Sequence, residues 1–124
     1  MSSDLTVYLI SCLSTPVLLF LISVIFKRFP IKNRNHFWGY RTRRSKSSQA
    51  AWDEANRYSF QLLFEFSVAL IVLAVLLWGL LASRIGLLNL VWINMAFLFT
   101  AVGAVIFLTE RRLKKMSETV KQEL

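Results

Sequence analysis

An acidic residue, Glu65, lies about one turn inside the apolar run of residues 62–82. Ionisable side chains in a membrane segment are costly, and those present commonly carry protons or bind cationic ligands. Glu65 is therefore a candidate proton or ligand site. The competing interpretation is a carboxylate that reaches the headgroup layer or pairs with an arginine, and the shallow depth of Glu65 favours it, because the cost falls toward the interface.

A second group of candidates lies in the polar segment of residues 27–61. Gly39 is the sole glycine of this segment and indicates a turn or a close approach of two backbones. Arg41 and Thr42 follow it, and they could hold an anion because a guanidinium group offers a planar fork of donors. The simpler interpretation of the arginine is that it sets topology and anchors the chain to lipid.

The second half of the polar segment is predicted to be helical, because no helix breaker follows residue 47. Ser45 or Ser47 is the expected N-cap, and the helix is expected to continue into the next apolar run. Trp52 and Asn56 lie one turn apart on one face of this helix. They could dock the loop onto the bundle, with Asn56 capping backbone groups near Gly39, or they could bind a partner.

The sequence lacks the residue patterns of familiar catalytic and metal sites. His36 is the sole histidine and has no second metal ligand at a useful spacing. There is no Ser-His-acid set, no zinc pattern and no glycine-rich phosphate loop. We therefore expect no catalytic residues, no metal, no cofactor and no enzymatic activity. The lone Cys12 excludes a disulfide within the chain.

Three apolar runs must position these candidates. Each is nearly free of charge, and at about 1.5 Å per residue each is long enough as a helix to cross a hydrocarbon core of about 30 Å. A chain with 56% hydrophobic residues and a net charge of +8 is unusual for a soluble protein. The predicted fold is an all-α membrane protein with three transmembrane helices and a basic, partly helical cytoplasmic loop between the first and second. The single domain, 1–124, comprises spans 5–26, 62–82 and 87–108, the loop 27–61 and the tail 109–124.

The charge distribution predicts the orientation. Nine of the fifteen Lys and Arg residues lie in the loop, five lie in the tail, and Arg84 alone lies between the second and third spans. Because basic segments stay on the cytoplasmic side, we expect the N-terminus outside and both the loop and the C-terminus in the cytoplasm. The basic flanks should contact anionic lipid headgroups. Nucleic acid is not expected, because no soluble basic domain carries the charge.

Helix contacts are expected from small residues and from two asparagines. In lipid, helices associate through close backbone approach and interhelical hydrogen bonds. Ordinary use of small residues in membrane helices is the alternative interpretation. Because three helices bury little surface between them, a homo-oligomer is also expected. The residues concerned are Gly79 and Ser83 on the second span, and Asn89, Asn94, Ala96, Thr100, Gly103 and Ala104 on the third.

The loop residues resemble the signature of the SdpI/YfhL family of small bacterial membrane proteins. That signature has the order G-x-R-T followed by W-x-x-x-N just ahead of a membrane span. The resemblance extends from about residue 31 to the end of the third span. The matching positions are Gly39, Arg41, Thr42, Trp52 and Asn56, with Tyr40 and Arg57 beside them.

The resemblance implies a function in the bacterial cell membrane. The best-known member of the family is an immunity protein that protects a cell from its own secreted killing peptide and signals by drawing a cytoplasmic regulator to the membrane. That member carries additional spans ahead of the signature, so this chain resembles a short, three-span branch. Two further function classes stay open: a small oligomeric transporter or channel that uses Glu65, and a structural or regulatory membrane subunit whose loop recruits an acidic partner.

Overall fold

Three long α-helices make up the fold. The structure, a computed structural model, describes residues 3–35 and 39–123. The helices are α1 (Ser3–Arg28), α2 (Gln49–Leu81) and α3 (Leu87–Glu123), and the described residues contain no strand. Each helix is long and apolar enough to cross a membrane. The predicted all-α membrane fold is confirmed, and the chain is a multi-pass membrane protein.

Helix α2 begins in the polar segment and continues without a break into the second apolar run, as the sequence predicts. Its N-cap is Ser48, whose Oγ accepts a hydrogen bond from the backbone N–H of Ala51 at 3.0 Å. The prediction of Ser45 or Ser47 as N-cap is wrong. Residues 42–47 form a separate turn with their own hydrogen bonds, so the helix begins only after that turn.

A buried tyrosine joins the three helices at the end remote from the loop. Tyr8 on α1 is fully buried, and its hydroxyl donates to the carbonyl oxygen of Ala74 on α2 at 2.6 Å. The same hydroxyl accepts from Nδ2 of Asn94 on α3 at 2.8 Å. Its ring packs on Trp78, with centroids 4.9 Å apart. The expected hydrogen bonding between helices by Asn94 is therefore confirmed.

Five of the six small residues predicted to form helix contacts are exposed, and the sixth, Ala104, is half-buried. Gly79, Ala96 and Thr100 are exposed, and a Cβ added at Gly79 or Gly103 would meet no neighbouring atom within 4 Å. Asn89 is exposed as well. The prediction of small-residue contact faces is therefore wrong. Polar groups surrounded by lipid must find partners within the protein, so the hydrogen bonds at Tyr8 help to orient the helices.

Cysteine labelling tests the orientation, because Ser47 and Ser83 are both exposed and flank opposite ends of α2. In intact cells, a membrane-impermeant maleimide should label Ser83→Cys and not Ser47→Cys. After permeabilisation it should label both. Native Cys12 is 6% exposed and is replaced by serine in both variants as the background control. Labelling of Ser47→Cys in intact cells would show that the orientation is inverted.

Candidate functional site

The central loop, residues 29–48, is fastened to the first turns of α2. Trp52 is fully buried, and its indole Nε1 donates to the carbonyl oxygen of Ile31 at 2.8 Å. One turn earlier, Nε2 of Gln49 donates to the carbonyl oxygen of Lys32 at 2.6 Å. Because both acceptors are backbone carbonyls, the segment that follows α1 is held against α2 whatever its side chains are.

The amide of Asn56 holds the middle of the loop. Its Oδ1 accepts from the backbone N–H of Tyr40 at 2.8 Å, and its Nδ2 donates to the carbonyl oxygen of Trp52 at 3.0 Å. Gly39 has a φ of +95°, and a Cβ at this residue would lie 2.6 Å from Oδ1 of Asn56 and 3.0 Å from Cδ1 of Ile31. Glycine is therefore required by the backbone conformation and by the close approach. Of the two roles that the sequence left open for Asn56, this contact supports docking of the loop near Gly39, and binding of a partner stays a prediction.

A compact turn follows this contact, and Ser45 organises it. Its side chain is fully buried, and its Oγ accepts from the backbone N–H of Thr42 at 2.7 Å. In return, Oγ1 of Thr42 accepts from the backbone N–H of Ser45 at 3.2 Å. Sequence reasoning considered Ser45 only as an N-cap, although a Thr-x-x-Ser spacing is a signal for such local side-chain hydrogen bonds. Arg41 lies exposed at the start of the turn.

Glu110 on α3 ties the loop to the third helix. The hydroxyl of Tyr40 donates to its Oε1 at 2.8 Å, and Nη1 of Arg44 lies 3.3 Å from its Oε2. Burial raises the pKa of Glu110, but the neighbouring Thr42, Tyr40 and Arg44 outweigh it and hold that pKa below its ordinary value. Burial, reinforced by the hydrogen bond and the charge of Glu110, raises the pKa of Tyr40, so its hydroxyl stays neutral and donates. Sequence reasoning missed Glu110 because 70 positions separate it from Tyr40.

A second set of charges joins α2 and α3. Glu54 accepts two hydrogen bonds from Arg57, at 2.7 and 3.1 Å, and another from Nε of Arg112. The guanidinium carbon of Arg112 also lies 4.7 Å from the ring centroid of Tyr58. Glu54 on α2 therefore binds the third helix as well as its neighbour on the same helix.

Glu65 is exposed on α2, and its Oε1 accepts from Nε2 of Gln61 at 2.9 Å. This partner lies one turn earlier on the same helix. The role of Glu65 as a proton or ligand site stays a prediction. His36 falls outside the described residues. Among those that the structure describes, no group of three or more His, Cys, Asp or Glu side chains is placed to hold a metal ion.

These observations define a three-span membrane protein whose basic loop folds back onto the helices through a small set of buried polar contacts. The model of the SdpI/YfhL protein family matches residues 32–109, and the chain belongs to this family. Over 105 residues it is 38% identical to the uncharacterized protein YfhL of Bacillus subtilis (strain 168), covering 82% of this chain and 84% of that protein. No solved structure matches the chain. The resemblance seen in the loop residues is confirmed.

The close approach at Gly39 predicts a large effect of one methyl group. In Gly39→Ala, the added methyl group would clash with the side chain of Asn56. The left-handed backbone conformation would also cost alanine about 1–2 kcal/mol of conformational free energy, so the loop should undock. Trypsin cleavage at the loop arginines of the protein in detergent should become about tenfold faster, because cleavage follows the open population. Gly79→Ala is the matched control, because a Cβ there meets nothing. Equal cleavage rates in the two variants would contradict the docked loop.

The bond between Tyr40 and Glu110 predicts a second effect on the loop. Tyr40→Phe keeps the packed ring and removes the donor, which leaves a charged acceptor with one partner fewer. A hydrogen bond to a charged group contributes about 1.5–3 kcal/mol, so cleavage of the loop should accelerate roughly tenfold. Tyr58→Phe retains the ring beside Arg112 and serves as the control. The tie to α3 is refuted if the two variants are cleaved alike.

Proposed function

We propose that this protein is an immunity protein of the SdpI type, which protects the cell membrane from a secreted peptide toxin and signals the presence of the toxin through its central loop. The observation that carries the proposal is that three residues of the family signature are linked by contacts. Trp52, Asn56 and Gly39 form one chain of contacts that joins the end of α1, the loop and α2. Membership of the SdpI/YfhL family supports the same function.

The helices offer a binding surface at the depth where a membrane-active peptide acts. Few side chains in the most apolar part of each helix are buried within the bundle: 17% in α1, 28% in α2 and 11% in α3. The other side chains are at least partly open to lipid or to an inserted peptide. Because association in lipid depends on van der Waals packing and on hydrogen bonds between helices, an apolar peptide can add to such a bundle without first displacing water.

The loop is placed to report a movement of the helices. Trp52 holds the carbonyl of Ile31, which closely follows the end of α1, and Tyr40 holds Glu110 on α3. A displacement of α1 or α3 relative to α2 therefore strains one of these bonds. A released loop would free Arg44 from Glu110 and present it, together with the exposed Arg43 and Lys46, to an acidic cytoplasmic regulator.

Survival of a toxin-sensitive Gram-positive host tests the proposal. Cells that express the chain should survive the killing peptide at least about tenfold better than cells without it. Asn56→Leu should remove most of this protection, because Tyr40 and Trp52 lose their side-chain partner. Asn89→Leu, at an exposed position on α3, is the matched control and should protect like the unmodified chain.

Membrane levels of the three proteins are compared by immunoblot, so that poor insertion is not mistaken for lost function. Absence of protection by a correctly inserted, unmodified chain would remove immunity to that peptide. Equal protection by the Asn56 and Asn89 variants would instead show that immunity does not depend on the docked loop.

A further inference from the structure

A cavity of about 650 Å³ lies between the end of α1, the first part of the central loop and the start of α2. Its apolar lining includes Phe26 at the end of α1, Ile31 in the loop and Phe60 on α2. Its volume falls within the range of pockets that hold small molecules, about 300–1,000 Å³. The signature residue Asn56 also lines it.

The walls of the cavity are fixed before any ligand arrives. The loop wall is held by the bonds of Trp52 to the carbonyl of Ile31 and of Gln49 to the carbonyl of Lys32. The helical walls meet through the rings of Phe26 and Phe60, whose centroids are 5.1 Å apart. A preformed site of this kind saves the ordering cost that binding otherwise incurs.

The charges of the residues that line the cavity favour an anionic ligand. Lys27, Lys32 and Arg57 line it, against a single carboxylate, Asp53, among the described lining residues. Arg57 is already engaged with Glu54. The ammonium group of Lys27 lies 4.3 Å from the ring centroid of Phe64, a contact that does not neutralise its charge, so the two lysines are the cations that an incoming anion would meet. An ammonium group binds phosphate as a compact point charge.

The position of the cavity favours a lipid as the anionic ligand. Phe26 is the last residue of the first apolar run and Lys27 begins the basic segment, so the cavity crosses the boundary between hydrocarbon and headgroups. An anionic phospholipid has a phosphate and the first carbons of an acyl chain at this depth. A soluble anion would use the lysines and leave the aromatic wall unoccupied.

We propose that this cavity is a specific site for an anionic phospholipid of the leaflet that faces the loop. The phosphate lies between Lys27 and Lys32, and the start of an acyl chain lies against Phe26 and Phe60. The site does not depend on toxin immunity. Because Asn56 lines the cavity and binds Tyr40, a bound lipid stabilises the docked loop.

Competition between lipids tests the site on the full-length protein in detergent. Native mass spectrometry compares retention of phosphatidylglycerol with that of phosphatidylcholine. The unmodified protein should prefer the anionic lipid at least about fivefold, since each lysine near an anionic headgroup favours binding several-fold. In Lys27→Gln/Lys32→Gln the preference should fall close to one. The matched control, Lys114→Gln/Lys115→Gln, removes the same charge from exposed positions on α3 and should keep the preference.

Lys32→Gln alone serves as a second variant. Lys32 bonds to Gln49 through its backbone carbonyl, so its exposed side chain can be replaced without loss of that bond. It should lower the preference about threefold. The proposal is overturned if both double variants lose the preference equally, which would show only general attraction by charge. It is also overturned if millimolar inorganic phosphate displaces the lipid, which would identify a soluble anion as the ligand.

Discussion

The hydrogen bond between the side chain of Asn56 and the backbone of Tyr40 is the contact on which the arrangement of the loop depends. A buried amide needs partners for its polar atoms, and Asn56 is only 5% exposed. The side-chain oxygen of Asn56 lies so close to the residue before Tyr40 that only glycine fits there. That residue, Gly39, also has a left-handed conformation that other residues rarely adopt. Three residues of the family signature, Gly39, Trp52 and Asn56, therefore take part in one set of contacts.

Polar contacts hold the bundle at both ends, and between them α1 and α2 pack through side chains such as Phe20 and Phe64, whose ring centroids are 5.2 Å apart. Tyr8 joins all three helices at one end, and the loop joins them at the other through Trp52 and Glu110. This distribution follows from the solvent, because lipid removes the hydrophobic drive that would hold helices together in water. The hydrogen bonds therefore resist movement between the helices at the two ends of the bundle. Of these two sets of contacts, those of the loop are the ones that a change in charge or in lipid would affect.

Local patterns predicted much of the fold and part of the site. The three apolar runs indicated the helices, and the absence of breakers after residue 47 indicated that α2 would continue into its span. A lone glycine and an asparagine ahead of the span suggested the contact between Gly39 and Asn56 as one of two alternatives. The helices could be predicted because each depends on residues close in sequence and on the strong constraint that lipid places on exposed backbone.

The sequence by itself determined that the chain crosses a membrane three times and concentrates its basic residues between the first two crossings. Only the tertiary structure decided which faces of the helices meet, and it placed Glu110 against Tyr40 and Glu54 against Arg112. It also left most of the predicted small residues exposed, and it formed a cavity with aromatic and basic lining residues between the end of α1, the loop and α2. Such contacts join residues far apart in the chain, and no local periodicity encodes them, because they follow from the rotation of each helix about its axis.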